Sequence, residues 1–229
     1  MWQRIWALVK ANTPFFSGYA LFLGFGALLL IRYGKEGLFL SQNAWHHPLA
    51  DAIAPTLTHL GDGLFAFAIF VVLLTINYRQ ALTALVCFAT VLVLIQAGKQ
   101  LLFDDALRPA AYFAAMGQEI RLVDGVKVHA HNSFPSGHSA SAFVLFTFLA
   151  LHWPKKHMGW LLLLAAVVIS YTRIYLSQHF MGDVLAGSLV GVTVAMLGTA
   201  WMDVVFEKQP KPWHRRGLFK KQDIKKATS

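Results

Sequence analysis

Three polar clusters interrupt an otherwise apolar chain, and each holds residue types suited to a multiply charged anion. The first is Lys99, followed by Arg108-Pro109. The second is Phe134-Pro135-Ser136-Gly137-His138-Ser139. The third is Thr172-Arg173, then His179 and Asp183. Lys99, Arg108 and Arg173 supply three cations, and Arg suits bidentate contact with phosphate oxygens. Ser136 and Gly137 stand where a helix begins, so their backbone N–H groups can point at an anion, and Gly137 lets the backbone approach closely. Taken singly, each cluster also has a structural reading. Lys99 and Arg108 would serve as interfacial anchors. Pro-Ser-Gly would be a turn and helix start with His138 exposed in the first turn. His179 and Asp183, four residues apart, would form a hydrogen-bonded pair on one helix face.

The elements that carry these clusters are apolar. Hydrophobic residues make up 56% of the 229 and charged residues only 14%, against about 25% charged in an average globular domain. That balance implies lipid as the main solvent. A helix needs roughly 20 apolar residues to cross the hydrocarbon core. Six segments are read as spans: 15–31, a run ending 64–76, 81–102, a shorter one at 139–153, 160–175 and 184–205. The basic start with Arg4 and Lys10 resembles a signal peptide, but no small-x-small site follows, so the first span is expected to be retained. The predicted fold is all-α, a six-transmembrane-helix bundle.

Orientation follows from the positive-inside rule. With a cytoplasmic N-terminus, 13 of the 20 Lys and Arg fall on inner segments and seven on outer ones. The inner set includes eight in the tail: Lys208, Lys211, Arg215, Arg216, Lys220, Lys221, Lys225 and Lys226. All three polar clusters then face outward. The net charge of +9 thus sits largely in a tail beside a hydrophobic helix, which points to anionic lipid headgroups and argues against nucleic acid. The outer loop at 103–137 contains alternating apolar residues around Asp124-Gly125, a favoured type I′ pair, so a short periplasmic β-hairpin is expected there. The chain reads as one membrane domain, 1–205, with a basic cytoplasmic tail, 206–229.

The spacing Lys–x8–Arg-Pro, Pro-Ser-Gly-His and Arg–x5–His–x3–Asp resembles the type 2 phosphatidic acid phosphatase (PAP2) superfamily, in its membrane-bound lipid phosphatase branch. The motifs run from Lys99 to Asp183. Two departures are visible: eight residues separate Lys99 from Arg108 where the family has six, and Thr172 stands where Ser is usual. The resemblance implies His179 as nucleophile, forming a phosphohistidine. Asp183 would fix its tautomer and stabilise the imidazolium. His138 would act as general acid and then as base. Lys99, Arg108, Ser136, Gly137 and Arg173 would bind the phosphate. No metal and no cofactor is implied. The expected partners are membrane lipids and a lipid phosphate or pyrophosphate substrate, such as undecaprenyl pyrophosphate, phosphatidylglycerophosphate, phosphatidic acid or a lipid A phosphate. The expected setting is a bacterial inner membrane with the site facing the periplasm. A phosphotransferase passing the group to a second lipid remains an alternative, as does a transporter or scaffold without catalysis.

Other polar residues receive structural readings. His129 and His131 have no Cys or carboxylate cluster at ligand spacing. His46, His47 and Asp51 are read as interfacial. Asp104-Asp105 would either orient Arg108 or lie solvated. Cys87, the single cysteine, sits in an apolar run and is read as packing. The segment Pro210–Phe219 is read either as an amphipathic strip on the inner leaflet or as disordered.

Overall fold

A computed structural model of the protein describes residues 1–153 and 155–219; Lys220, Lys221, Lys225 and Lys226 of the tail lie outside them. Nine α-helices are present among the described residues: α1 (Trp2–Ala11), α2 (Thr13–Asn43), α3 (Pro48–Leu57), α4 (Gly63–Ile76), α5 (Tyr78–Leu101), α6 (Pro109–Ala115), α7 (Gly137–His152), α8 (Gly159–Tyr175) and α9 (Met181–Lys208). Starts are set by local chemistry. Asp62 caps α4 by accepting from the Leu64 and Phe65 amides, and Asn77 caps α5 by accepting from Arg79 and Gln80.

The expected six spans are not what forms. Among the described residues, four helices are long and apolar enough to cross a membrane: α2, α5, α8 with its preceding turn, and α9. Counting α3 and α4 as one span bent by 53° makes five. The segment at 139–153 becomes α7, with 16 residues, about 24 Å at 1.5 Å per residue. Its apolar character serves enclosure by other helices. Ala140 and Val144 pack with Cys87, Val91 and Ile95 of α5 and with Val194 and Ala195 of α9. Phe143 and Ala150 pack with Phe15, Tyr19 and Leu163 on the other side. The first span also differs: α2 breaks at Gly34 (φ 69°) and resumes as a segment that buries Phe39 and Asn43.

The α7–α9 contact fixes the site. A Cβ on Gly187 would collide with the Ser136 carbonyl, and one on Gly191 with the Ala140 carbonyl. Glycine at this four-residue spacing brings the two backbones together, as in small-xxx-small helix packing. The start of α7 is thereby set against the start of α9, and the Ser136 amide donates to the Asp183 carbonyl at 3.0 Å.

The expected β-hairpin is also replaced; no strand occurs among the described residues. The Asp124-Gly125 turn does form, with the Val126 amide on the Val123 carbonyl at 3.3 Å. Positive φ occurs at Gly125 (75°) but not at Asp124, the pattern of a type II turn, which splays its arms where type I′ would pair them. The arms bond elsewhere. Asn43 takes the Arg121 amide at 2.9 Å and donates to its carbonyl at 2.8 Å, and Gln178 Nε2 donates to the Lys127 carbonyl at 3.0 Å.

At the opposite end, α1 meets the end of α9 through a bidentate Arg4–Glu207 pair, and Arg79 pairs with Asp203 at 2.6 Å. The described part of the tail is docked. His214 is buried against Phe206, the Tyr78 amide donates to the Arg216 carbonyl, and the Leu218 amide to the Leu74 carbonyl.

Candidate active site

The start of α9 builds the centre. Asp183 is the third residue of the helix, and its Oδ2 accepts the Phe180 amide at 3.0 Å, one half of a capping box. The same oxygen accepts from the Ser133 hydroxyl at 2.5 Å and faces His179 Nδ1 at 3.3 Å. His179 precedes the helix, so the pair bridges a loop and a first turn instead of sharing a helix face. Its own position comes from α8, because the amides of Gln178 and His179 both donate to the Arg173 carbonyl, at 2.9 and 3.2 Å.

His179 is 1% exposed. Burial pushes its pKa down to about 4; the hydrogen bond and charge of Asp183 pull upward, and Arg108 and Arg173 push further down. The imidazole is therefore neutral near pH 7. With a carboxylate facing Nδ1, the proton belongs on Nδ1 and the Nε2 lone pair is free.

Cations surround this pair. Arg173 is buried at the end of α8, its Nη1 donates to Thr58 Oγ1 at 2.7 Å, and its Nε has no partner. Arg108 is buried too, with its Nε on the His131 carbonyl at 2.9 Å and Nη1 on Gln178 Oε1 at 2.9 Å. Burial lowers the Arg108 pKa, and Asp183 opposes the shift. Lys99 lies in electrostatic range of Arg108, Asp183 and Arg173, and His138 in range of Arg173, His179 and Lys99. A cavity of about 260 Å3 opens here, lined by Thr58, His59, Lys127, His129, His138 and Arg173 among others.

All eight residues singled out by spacing thus gather at one end of the bundle. His138 and Arg173 reach the cavity wall, and His179 and Asp183 are buried in the same polar cluster. The Ser136 amide is engaged by Asp183, so the first-turn amides left without intrahelical acceptors are those of Gly137 and His138. Ser136 acts as the cap of α7, its hydroxyl accepting from the Ser139 hydroxyl at 2.9 Å. Asp104 and Asp105 are exposed and do not orient Arg108; Gln178 and His131 do. Among the described residues no three His, Cys, Asp or Glu side chains gather as a metal site. His46 and Asp51, read as interfacial, join a partly exposed network in which Asp51 accepts from Tyr175 at 2.5 Å, meets His46 at 3.0 Å and pairs with Arg121 at 3.1 Å.

Three buried polar residues escaped the motif spacing: Thr58, Ser133 and Gln178. Gln178 carries the weak signal of adjoining His179; Thr58 and Ser133 have none. Ser133 is the instructive one, since it makes the shortest bond to Asp183. Ser133→Ala is expected to lower kcat roughly tenfold, because a hydrogen bond to a charged group contributes about 1.5–3 kcal/mol. Unchanged kcat in steady-state assays would remove Ser133 from the positioning of His179.

A family model described as the PAP2 superfamily matches residues 80–207, more than half of the chain and nearly all of the stretch from α5 to α9. A lipid A 4'-phosphatase from Bacteroides thetaiotaomicron is 28% identical over 159 residues, 67% of this chain and 70% of that protein. The crystal structure of Aquifex aeolicus LpxE is similar with a TM-score of 0.63 and 29% identity, covering 72% of this chain and 94% of that one. A transmembrane PAP2-type phosphatidylglycerolphosphate phosphatase from Bacillus subtilis shares the fold, with a TM-score of 0.59 and 24% identity over 86% of this chain and 98% of that one. With its membrane-length apolar helices the protein is an integral membrane protein, and by the extent of the family match the chain belongs to the PAP2 superfamily.

Proposed function

We propose that this lipid phosphatase hydrolyses a phosphate monoester or diphosphate through a phosphohistidine on His179, without a metal, at the outer membrane face. The observation that carries the reading is the buried, neutral His179 with Nδ1 on Asp183, set among Arg108, Arg173 and Lys99. Phosphoryl transfer is mostly positioning and neutralisation of the equatorial oxygens. Arg173 offers Nε and its second Nη group, Arg108 offers its remaining donors, and Lys99 adds charge. The Gly137 and His138 amides stand at the start of α7. His179 Nε2 attacks phosphorus, and His138, having taken the proton of the arriving phosphate monoanion, delivers it to the departing oxygen. His138 then takes a proton from the water that attacks phosphohistidine, releasing phosphate and restoring neutral His179. Asp183 holds Nδ1–H throughout and stabilises the imidazolium.

A lipid substrate is supported by the relatives, one named a lipid A 4'-phosphatase, and by a site at helix ends that takes a headgroup while acyl chains stay in the bilayer. The excess of Lys and Arg on the segments at the other end supports cytoplasmic termini and a periplasmic site in a bacterial inner membrane. Residues 1–205 would then be the catalytic unit and 206–229 a basic cytoplasmic appendage.

The test is phosphate release by purified protein over a panel of lipid phosphates and diphosphates in excess EDTA. Turnover of at least one lipid is expected to be unchanged by the chelator. Loss of activity restored by magnesium or zinc would overturn the three-cation mechanism. Phosphate release seen only when a second lipid acceptor is added and later hydrolysed would favour the phosphotransferase.

A further inference from the structure

An apolar groove of about 420 Å3 runs between α3 and α8, walled by Leu49, Ile53, Leu57, Val168, Thr172 and Tyr175 among others. It stands back to back with the cationic cavity. Leu57 lines the groove and Thr58 the cavity; Thr172 the groove and Arg173 the cavity; Tyr175 the groove and Leu176 the cavity. The Arg173–Thr58 hydrogen bond crosses this seam at 2.7 Å. A second bond ties the two walls, from Tyr175 on α8 to Asp51 on α3 at 2.5 Å. The groove is therefore a fixed feature beside the site. Its outer lip is open, with Ile53 48% and Val168 41% exposed.

We propose that this groove seats an acyl chain of the phosphorylated lipid whose headgroup enters the cavity, an inference that rests on the phosphatase reading above. A phosphate held by Arg173 places the first carbons of its ester beside the seam, one residue from the groove on both walls. Two other apolar grooves compete for the chain. The one between α4 and α5, lined by Phe67, Leu85 and Leu92, shares no sequence-adjacent pair with the cavity. The one between α2 and α8 shares one, Arg173 with Ile174. Lipid tails are already in apolar surroundings in the bilayer, so the groove adds little hydrophobic stabilisation. Its effect is orientation: a seated chain fixes the direction from which the ester enters, and with it the line of attack.

The test places single cysteines in the His179→Ala protein, which does not turn the ligand over, reconstituted in phosphatidylcholine nanodiscs. Cys87 is buried and silent to a bulky maleimide. Dodecyl phosphate at about ten times its Kd is expected to slow labelling of Ile53→Cys about tenfold, by occupancy. Inorganic phosphate should leave the rate unchanged, and Leu92→Cys should be unprotected by either. Leu49→Cys, exposed and lining this groove but not the one between α2 and α8, is the second reporter should Ile53→Cys fail to fold. Equal labelling of both groove cysteines with and without dodecyl phosphate, or protection at Leu92→Cys instead, overturns the groove and leaves the phosphatase reading intact. Failure of the unsubstituted protein to release phosphate from any lipid overturns that reading, a separate result.

Discussion

His179→Ala is expected to lower kcat for phosphate release by roughly 10⁴-fold or more, the scale seen when the nucleophile of a covalent mechanism is removed. The expectation follows from what remains. Arg108, Arg173 and Lys99 still gather at the site, so the substrate phosphate still binds and KM changes little. What is lost is the buried, neutral lone pair that Asp183 orients. Asp183 cannot replace it, being already engaged by Ser133 and the Phe180 amide. Water attacking directly would have to find both orientation and a base. His179→Asn, closer in volume, guards against a packing effect, because His179 is among the largest fully buried side chains. Base-quenched protein exposed to a radiolabelled phosphate ester should carry an acid-labile label in the native chain and none in either variant. A variant with near-native kcat, or a label that persists in it, would place the covalent step on another residue.

Much of this site was legible because phosphate chemistry demands residue types that membrane segments otherwise avoid. His138, Arg173, His179 and Asp183 stood out as costly polar groups in apolar runs, and the structure brings them together. The readings that failed did so for identifiable reasons. Counting apolar residues cannot separate a helix facing lipid from one enclosed by other helices, and α7 is the second kind. Local turn propensity placed a turn correctly at Asp124-Gly125, but the hairpin depended on backbone groups of Arg121 and Lys127 that Asn43 and Gln178 occupy. Those partners are distant in sequence or have no periodicity. The same holds for Thr58, which meets Arg173 across 115 positions, and for Ser133, which meets Asp183 across 50. Spacing along the chain identified the groups able to react. The groups that aim them came from tertiary packing, above all the Gly187 and Gly191 approach of α9 to α7.

Arg173→Lys separates charge from geometry at the residue best placed to bridge both halves of the site. In the native protein one Nη holds Thr58 while Nε and the other Nη remain for an anion, and the guanidinium is buried where screening is weak. Lysine keeps the charge, but a single ammonium on a flexible stem cannot hold Thr58 and present a planar fork to phosphate as well. The missing contacts matter most when charge spreads over the equatorial oxygens in the transition state. Kcat is therefore expected to fall on the order of 10²–10³-fold, the cost of one preorganised donor at a developing anion, with a smaller change in KM. Restoring a donor elsewhere should not rescue it: Thr58→Asn in the same background offers Thr58's partner a new hydrogen bond but no second phosphate contact. Steady-state phosphate release with the lipid from the panel decides the point. Native kcat in the Arg173→Lys protein would mean that Arg173 contributes charge alone, and the directional role would pass to Arg108, whose Nε and one Nη are already held by His131 and Gln178.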